Sequence, residues 1–155
     1  MKRAVIVLIA LFASASWRVQ AQGQPNFSGL WKQNMEKSSK TSLQSYANKI
    51  EHTGNTLKVT TISRGSRGES SFDKTYEIGK ETKNADREGD QFTSVVKWEG
   101  QTLVFVTVEK EKGGTIETRE TWTLSDDGRT LTKVIHSHGP QGDREQTYVL
   151  EKTPA

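Results

Sequence analysis

The chain has 155 residues, 22 lysines and arginines, 19 aspartates and glutamates, and no cysteine. This length suits one domain that encloses a single core, and the lack of cysteine excludes disulfides as a source of stability. The formal net charge of +3 is small. Whether it indicates a basic protein depends on whether the first residues of the chain are removed.

The first 21 residues have the pattern of a secretory signal peptide. Met1-Lys2-Arg3 is basic, residues 4–16 form an apolar run, and Val19-Gln20-Ala21 offers small residues for cleavage before Gln22. The apolar run is shorter than the roughly 20 residues of a spanning helix, which disfavours a permanent membrane anchor. We predict export to the periplasm or the extracellular space, without a membrane span after cleavage and with residues 22–155 as a single domain.

Cleavage at this position changes the charge balance. Lys2, Arg3 and Arg18 leave with residues 1–21 and no acidic residue does, so that 19 basic and 19 acidic residues remain. A neutral chain lacks the positive field that meets nucleic-acid phosphates. We therefore predict that nucleic acid is not a partner.

The rest of the chain consists of segments of strand length between turn signals. The segments are rich in Thr, Val, Tyr, Phe and Trp, which favour strands, and the turns are rich in Gly, Asn and Asp. The polar segment 35–45 is compatible with a loop or with one short helix. The nine predicted strands are 27–33, 47–52, 56–63, 72–78, 91–98, 102–110, 115–124, 130–137 and 144–151.

The short connections predict an all-β, antiparallel, up-and-down meander, because strands joined by tight turns lie side by side. So long a meander leaves exposed edges unless it closes. We predict closure into a barrel of about 8–10 strands, with a two-sheet sandwich as the alternative. Barrels of this size either fill their interior or hold one small ligand.

The first predicted strand contains a G-x-W motif. Phe27, Gly29 and Trp31 share one face of an extended segment, and the glycine lets a neighbouring backbone or ring come close. The stretch Asn26-Phe27-Ser28-Gly29-Leu30-Trp31-Lys32, followed by short strands, resembles the first signature of the lipocalins and the wider calycin group, and in particular small secreted bacterial lipocalin-like proteins. The resemblance implies a lipocalin-like barrel that Gly29 and Trp31 close at one end.

The turns between the last five strands predict which side chains share the interior. Each tight turn fixes a hairpin register, and four registers together extend a row of residues across the sheet. The turns are Glu99-Gly100, Gly113-Gly114, 125–128 and 139–142. The apolar row that they predict is Phe105, Trp122, Leu131 and Leu150.

The same registers predict a polar row on that face, formed by Thr107, Glu120, Lys133 and Tyr148. Charges that point into an apolar interior must pair or reach water. One interpretation is a site for the polar group of a ligand, and the other is a hydrated charge pair at the barrel rim. The predicted ligand-binding residues are Phe105, Glu120, Trp122, Lys133 and Tyr148.

On the opposite face these registers place Val104, Val106 and Val108. An outward apolar row requires either a cover from a neighbouring element or partner, or an inverted phase in this strand.

Catalytic and metal sites have weak signals. His136 and His138 point the same way from one strand and could share an ion, but the spacing offers no third ligand, which favours a solvated pair. The sequence has no cysteine nucleophile and no G-x-S-x-G motif. We predict no catalytic residue, no metal, no cofactor and no enzymatic activity.

The function that these features favour is binding or carriage of a small, hydrophobic or amphipathic molecule. The alternative is a non-catalytic interaction or structural module whose interior is filled by its own side chains. Convergence of Trp31, Trp98 and Trp122 on one space would favour the filled interior. The sequence does not indicate a protein partner.

Overall fold

A computed structural model describes residues 23–85, 89–111 and 113–154. The predicted signal peptide, residues 1–21, lies outside these residues. Among the described residues, no helix is long and apolar enough to span a membrane. The strands are β1 (Gly29–Gln33), β2 (Ser45–Thr53), β3 (Thr56–Gly65), β4 (Gly68–Glu77), β5 (Glu81–Ala85), β6 (Gln91–Glu99), β7 (Thr102–Glu111), β8 (Gly114–Leu124), β9 (Thr130–Gly139) and β10 (Gly142–Lys152).

The ten strands form one sheet in the order β4-β3-β2-β1-β10-β9-β8-β7-β6-β5. All neighbours in this order are antiparallel, and β1 pairs with both β2 and β10, which joins the two ends of the meander. The result is a nearly closed antiparallel barrel. The predicted fold class is thereby confirmed.

The barrel has one seam, between β4 and β5, where side chains take the place of a backbone ladder. Asn84 of β5 donates from Nδ2 to the Thr75 carbonyl (3.0 Å) and accepts the Thr75 N–H at Oδ1 (3.2 Å). Thr82 Oγ1 accepts the N–H of Glu77 (3.1 Å). Strand β5 lies in a segment that the sequence analysis treated as a turn, because its polar side chains bridge this seam and show no apolar alternation.

Strand alternation separates an apolar interior from a polar exterior. In β3, for example, Leu57 and Val59 are buried and alternate with the exposed Lys58. In the segment 35–45, residues 35–44 form a loop that begins with a turn, without a helix, and β2 starts at Ser45. Ser39 N–H donates to the Thr147 carbonyl at 2.8 Å, so that this loop runs along β10.

Three of the four predicted registers are wrong by two residues. Glu99 pairs with Thr102, so the turn is Gly100-Gln101, with Gly100 at φ 62°, where glycine is favoured. The β7–β8 ladder ends at Glu111–Gly114, so that it turns one residue earlier than the predicted Gly113-Gly114, and the β8–β9 ladder ends at Leu124–Leu131, which leaves a longer connection than the predicted 125–128. The β9–β10 register is confirmed, with Leu131 opposite Leu150 and Lys133 opposite Tyr148.

A two-residue shift keeps every side chain on its face, because side chains alternate with a period of two. Phe105, Trp122, Leu131 and Leu150 are therefore all interior and almost fully buried, but they do not form one row. Trp122 lies opposite Leu103 and Lys133. The predicted polar row is wrong in the same way, since Glu120 lies opposite Phe105 and Ile135.

The outward side of β7 is partly covered by an ion-pair chain. Arg119 of β8 pairs with Glu99 of β6 at 2.8 Å. Because β7 lies between these two strands, the paired side chains cross its outer face. Glu99 also pairs with Lys97. Val104 faces outward and yet is 0% exposed, whereas Val106 is 38% exposed. The phase of β7 is therefore as predicted, and charged neighbours supply the cover over Val104.

Candidate ligand-binding site

One end of the barrel is filled around Trp31. Its ring is fully buried, and Nε1 donates to the Phe27 carbonyl at 2.8 Å. The Lys152 Nζ lies 5.2 Å from the centroid of the ring. A Cβ at Gly29 would lie 2.7 Å from Lys152 Cε, so the glycine gives Lys152 room to cross beside Trp31. The sequence did not predict this contact of Lys152 with Gly29 and the Trp31 ring.

Above Trp31 lies a layer of rings that we call the aromatic floor, formed by Phe27, Trp98, Phe105 and Trp122. Phe27 stacks on Trp98 with centroids 5.9 Å apart and meets Trp122 edge to face at 5.6 Å. Phe105 lies 4.6 Å from Trp122. The tryptophans thus converge around Phe27, as the filled-interior alternative requires, but they occupy only the closed half of the barrel.

A cavity of about 250 Å³ lies above the aromatic floor. Its walls combine apolar side chains with a few polar groups, which is the usual composition of small-molecule sites. Its apolar lining includes Leu43, Val59, Phe72, Trp122 and Ile135. Its polar lining includes Tyr46, Lys74, Tyr76, Glu120, Lys133 and Tyr148.

Lys133 is the one buried lysine among the described residues, with 2% of its surface exposed. Its Nζ donates to Asn48 Oδ1 at 2.5 Å and lies 3.8 Å from the centroid of the Trp122 ring. The Glu120 Oε1 is 3.8 Å from Nζ. The same oxygen accepts the Trp122 indole N–H at 2.5 Å, which fixes the carboxylate beside the ammonium.

Burial lowers the pKa of Lys133 from its ordinary 10.5 to about 8, because the charged form loses its hydration. The Glu120 carboxylate opposes this change and Lys74 adds slightly to it. Near neutral pH the ammonium form still prevails. The uncharged amine therefore forms at a pH about 2.5 units lower than in a hydrated lysine.

Two tyrosines face each other at the cavity wall. The Tyr46 and Tyr148 rings stack with centroids 4.8 Å apart, and the Tyr46 hydroxyl donates to Asn48 Oδ1 at 3.3 Å. Burial raises the pKa of both hydroxyls, and the Glu120 charge raises it further. Both phenols therefore remain neutral hydrogen-bonding groups at physiological pH.

Pairs of polar side chains line the inner face between the cavity and the end of the barrel opposite the aromatic floor, which we call the mouth. Each pair joins neighbouring strands, which satisfies the hydroxyls without water and keeps the wall polar. The pairs are Ser94–Thr107 (2.8 Å), Thr118–Ser137 (3.1 Å) and Ser63–Ser70 (3.1 Å). The interior therefore changes from aromatic at the closed end to polar at the mouth.

Gln33 is exceptional in having a buried amide whose Nε2 and Oε1 both lack a hydrogen-bond partner among the described residues. It lies opposite Leu150, on the face of β1 that carries Trp31. A buried polar group without a partner costs about 1–3 kcal/mol. A water or a polar group of a ligand would satisfy this amide.

The structure brings four of the five predicted ligand-binding residues to the cavity wall, namely Glu120, Trp122, Lys133 and Tyr148. Phe105 lies below them in the aromatic floor, 5.2 Å from the Tyr76 ring. Sequence analysis missed Tyr46, Asn48 and Lys74. These residues come from β2 and β4, and no short turn relates those strands to β9.

The histidines of β9 lie on the outer surface. His136 Nδ1 is 3.2 Å from a carboxylate oxygen of Glu145, and His138 pairs with Asp143. Both pairs are exposed and join β9 to β10. Among the described residues, no cluster of three or more potential ligand side chains could hold a metal ion.

Comparison with known proteins shows the fold. No protein-family model matches the sequence, and no curated protein sequence matches it significantly. The chain is similar to lipid binding protein 8 of Caenorhabditis elegans (14% identity, TM-score 0.63), with 82% of this chain and 95% of that chain covered.

Two further solved structures are similar to the chain. They are zebrafish ileal bile acid-binding protein complexed with cholic acid (16% identity, TM-score 0.57, 82% and 98% covered) and secretory abundant heat soluble protein 4 of Ramazzottius varieornatus (15%, 0.62, 86% and 99%). The neighbours include fatty-acid-binding-protein-like barrels of the calycin and lipocalin group. At these identities the similarity defines the fold of the chain and not its ligand.

Proposed function

We propose that the chain is a binding protein that holds a small, partly apolar molecule in its barrel. The observation that carries this proposal is the cavity of about 250 Å³ between the aromatic floor and the polar mouth, with Lys133 in its wall. Two of the structural neighbours are named for lipid and bile-acid binding, which supports the same class of function. Binding without catalysis accounts for these features.

The size of the cavity favours a small ligand. Ligand pockets usually measure about 300–1,000 Å³, so this cavity suits a short chain or a single ring system. A second depression of about 380 Å³ on the inner face shares Ile135 with the cavity. A somewhat longer ligand would extend along this face toward the mouth.

The charges in the wall favour a ligand with a polar end. Lys74 and Lys133 carry two positive charges against one negative charge on Glu120. The apolar part of the ligand would lie against Val59, Trp122 and Ile135. We propose that an anionic or hydrogen-bond-accepting group lies near Lys133.

Calorimetric titration with octanoic acid, 1-octanol and octylamine tests this proposal, because the three probes share one tail and differ in their polar end. We expect the acid to bind most tightly and the amine most weakly. The Lys133→Met variant should weaken octanoic acid binding by about 1–3 kcal/mol, the usual loss when a buried partner is removed. The matched control is Lys110→Met on the exposed side of β7, which should leave binding unchanged.

Two results would contradict the proposal. Equal octanoate affinities in wild type and Lys133→Met would remove Lys133 from the site. No binding of any probe would favour the alternative, an interaction or structural module with a filled interior, for which the aromatic floor is the supporting observation.

We further propose that the protein acts outside the cytoplasm, in the periplasm or the extracellular space. The support is the sequence pattern of residues 1–21, with its basic start, apolar run and small residues at the cleavage site. A barrel without cysteines is compatible with an oxidising compartment.

A further inference from the structure

We propose that Lys133 captures small apolar aldehydes as a reversible imine inside the barrel. This inference rests on the proposed function, since the aldehyde must first occupy the cavity, and it adds a covalent step to binding. The amine lies in the cavity wall, above the face of Trp122 and 3.8 Å from the Glu120 carboxylate. The carboxylate can transfer protons to and from the reacting nitrogen atom, and the ring stabilises its positive charge.

The step is a condensation that balances without an oxidant or reductant. The lone pair of the uncharged Nζ adds to the carbonyl carbon, and the carbonyl oxygen takes up a proton to give a carbinolamine. Loss of that oxygen as water then leaves a C=N bond to Nζ. The products are an imine, formed between the former carbonyl carbon and Lys133 Nζ, and one molecule of water.

Glu120 is placed to move the protons of this step. Its Oε1 lies 3.8 Å from Nζ, too far for a direct hydrogen bond, so transfer runs through one intervening water. The carboxylate would accept a proton from nitrogen and return it to the leaving hydroxyl. The indole N–H of Trp122 holds the same oxygen at 2.5 Å and thus acts as a positioning group.

The surroundings also suit the product, because a protonated imine keeps the positive charge of the lysine. The Trp122 ring offers its face to that charge, and Glu120 remains as the counter-ion. Asn48 Oδ1, which now accepts a hydrogen bond from Nζ at 2.5 Å, can accept one from the iminium N–H. The charged adduct therefore needs no new partner.

Burial should make Lys133 react before the other lysines. With a pKa of about 8, roughly half of its side chains are uncharged at pH 8. A hydrated lysine is only about 0.3–0.4% uncharged at that pH. The apolar wall also concentrates the aldehyde beside the amine, which raises the effective concentration of the reactants.

The test uses octanal as the probe and sodium cyanoborohydride to trap the imine, at pH 8, with peptide mapping by mass spectrometry. Octanal is saturated, so conjugate addition cannot imitate the adduct. We expect Lys133 to be modified at least about tenfold faster than exposed lysines such as Lys110. An excess of 1-octanol should slow modification at Lys133 only.

Two variants separate the chemical step from the fold. Lys133→Arg keeps a cation in the cavity but cannot form an imine, so that it should lose the rapid adduct while circular dichroism shows that the barrel is folded. Glu120→Gln keeps the amine and should slow trapping and alter its pH profile, which a purely structural role of Glu120 would not do. Lys110→Met should leave the rate at Lys133 unchanged.

Modification of exposed lysines with Lys133 left unmodified would overturn the inference. If 1-octanol then still bound by calorimetry, the proposed function would stand without the covalent step. If 1-octanol failed to bind as well, both would fall.

Discussion

The ammonium of Lys133 lies between a ring, an amide and a carboxylate, and each acts on it differently. Asn48 accepts a hydrogen bond from it at 2.5 Å, and the Trp122 ring and the Glu120 carboxylate stabilise the charge from 3.8 Å each. Loss of hydration outweighs all three in its effect on the pKa, which falls to about 8. A buried cation whose lost hydration is only partly replaced destabilises the folded state. Because Lys133 lies in a cavity wall, we connect this cost with ligand binding.

This cost should appear in the pH dependence of stability. Between pH 8 and 10.5 the unfolded chain keeps a proton on Lys133 that the folded chain has lost. The free energy of unfolding should therefore rise with pH through this window, by up to about 3 kcal/mol, since one pKa unit corresponds to about 1.4 kcal/mol. Below pH 8 both states are protonated and the full cost remains.

Urea denaturation of wild type and Lys133→Met at several pH values measures this effect. Tyrosines that ionise in the unfolded state destabilise both proteins alike as the pH rises, so the difference between the two proteins isolates Lys133. We expect this difference to move in favour of wild type from pH 8 upward. Parallel stability curves would show that Lys133 titrates like a hydrated lysine.

Hairpins are the elements whose faces the sequence predicts well and whose registers it predicts poorly. A tight turn can form one residue earlier or later along the chain, and each such step moves the register by two residues, as in the β6–β7 turn at Gly100-Gln101. Strand β1 is different, because one of its two neighbours, β10, is the last strand of the chain, and because its inner face carries Trp31. Its contribution depends on how well that one ring is packed.

Replacement of Trp31 by alanine should lower the free energy of unfolding by about 3–5 kcal/mol, as expected for a fully buried large side chain. The ring is 0% exposed and donates a hydrogen bond to the Phe27 carbonyl. The matched control is Leu30→Ala on the same strand, whose side chain points outward and is 36% exposed. Its effect should be within about 0.5 kcal/mol.

Chemical denaturation followed by circular dichroism measures both variants. A Trp31→Ala midpoint equal to that of wild type would mean that the ring does not hold this end of the barrel together. A large effect of Leu30→Ala would instead indicate that β1 is sensitive at every position.

At the scale of the whole molecule, one sheet returns to its own beginning through the β1–β10 pairing and leaves a single side-chain-bridged seam between β4 and β5. The closed half is filled by rings and the open half contains a cavity with charged and hydroxyl groups in its wall. The sequence left open a ligand-binding barrel and a barrel with a filled interior, and each description fits one half of the molecule. A filled half positions the groups that a ligand would meet in the other half.

Export belongs to this scale, and the expected mature protein begins at Gln22. N-terminal sequencing of protein recovered from the periplasm or the medium should give Gln22 as its first residue, because the small residues before it suit signal peptidase. The control is the precursor with Lys2 and Arg3 replaced by glutamate, which should be exported poorly. Recovery of Met1 in the exported protein would contradict the prediction.

The sequence by itself determined the all-β class, the meander, the barrel and the inward face of β7, β8, β9 and β10. These depend on alternation and on short turns, which are local properties, and a register error of two residues leaves them intact. The β9–β10 hairpin even placed Lys133 opposite Tyr148 correctly.

Only the tertiary structure decided which groups surround Lys133. Asn48 is 85 positions away along the chain, on a strand that reaches β9 through β1 and β10, and Lys74 comes from the far edge of the sheet. The polar β5 was missed because its side chains close a seam between edges that meet only when the barrel curves. Barrel closure creates these contacts, since residues without any short turn between them become neighbours only when the sheet curves around one interior.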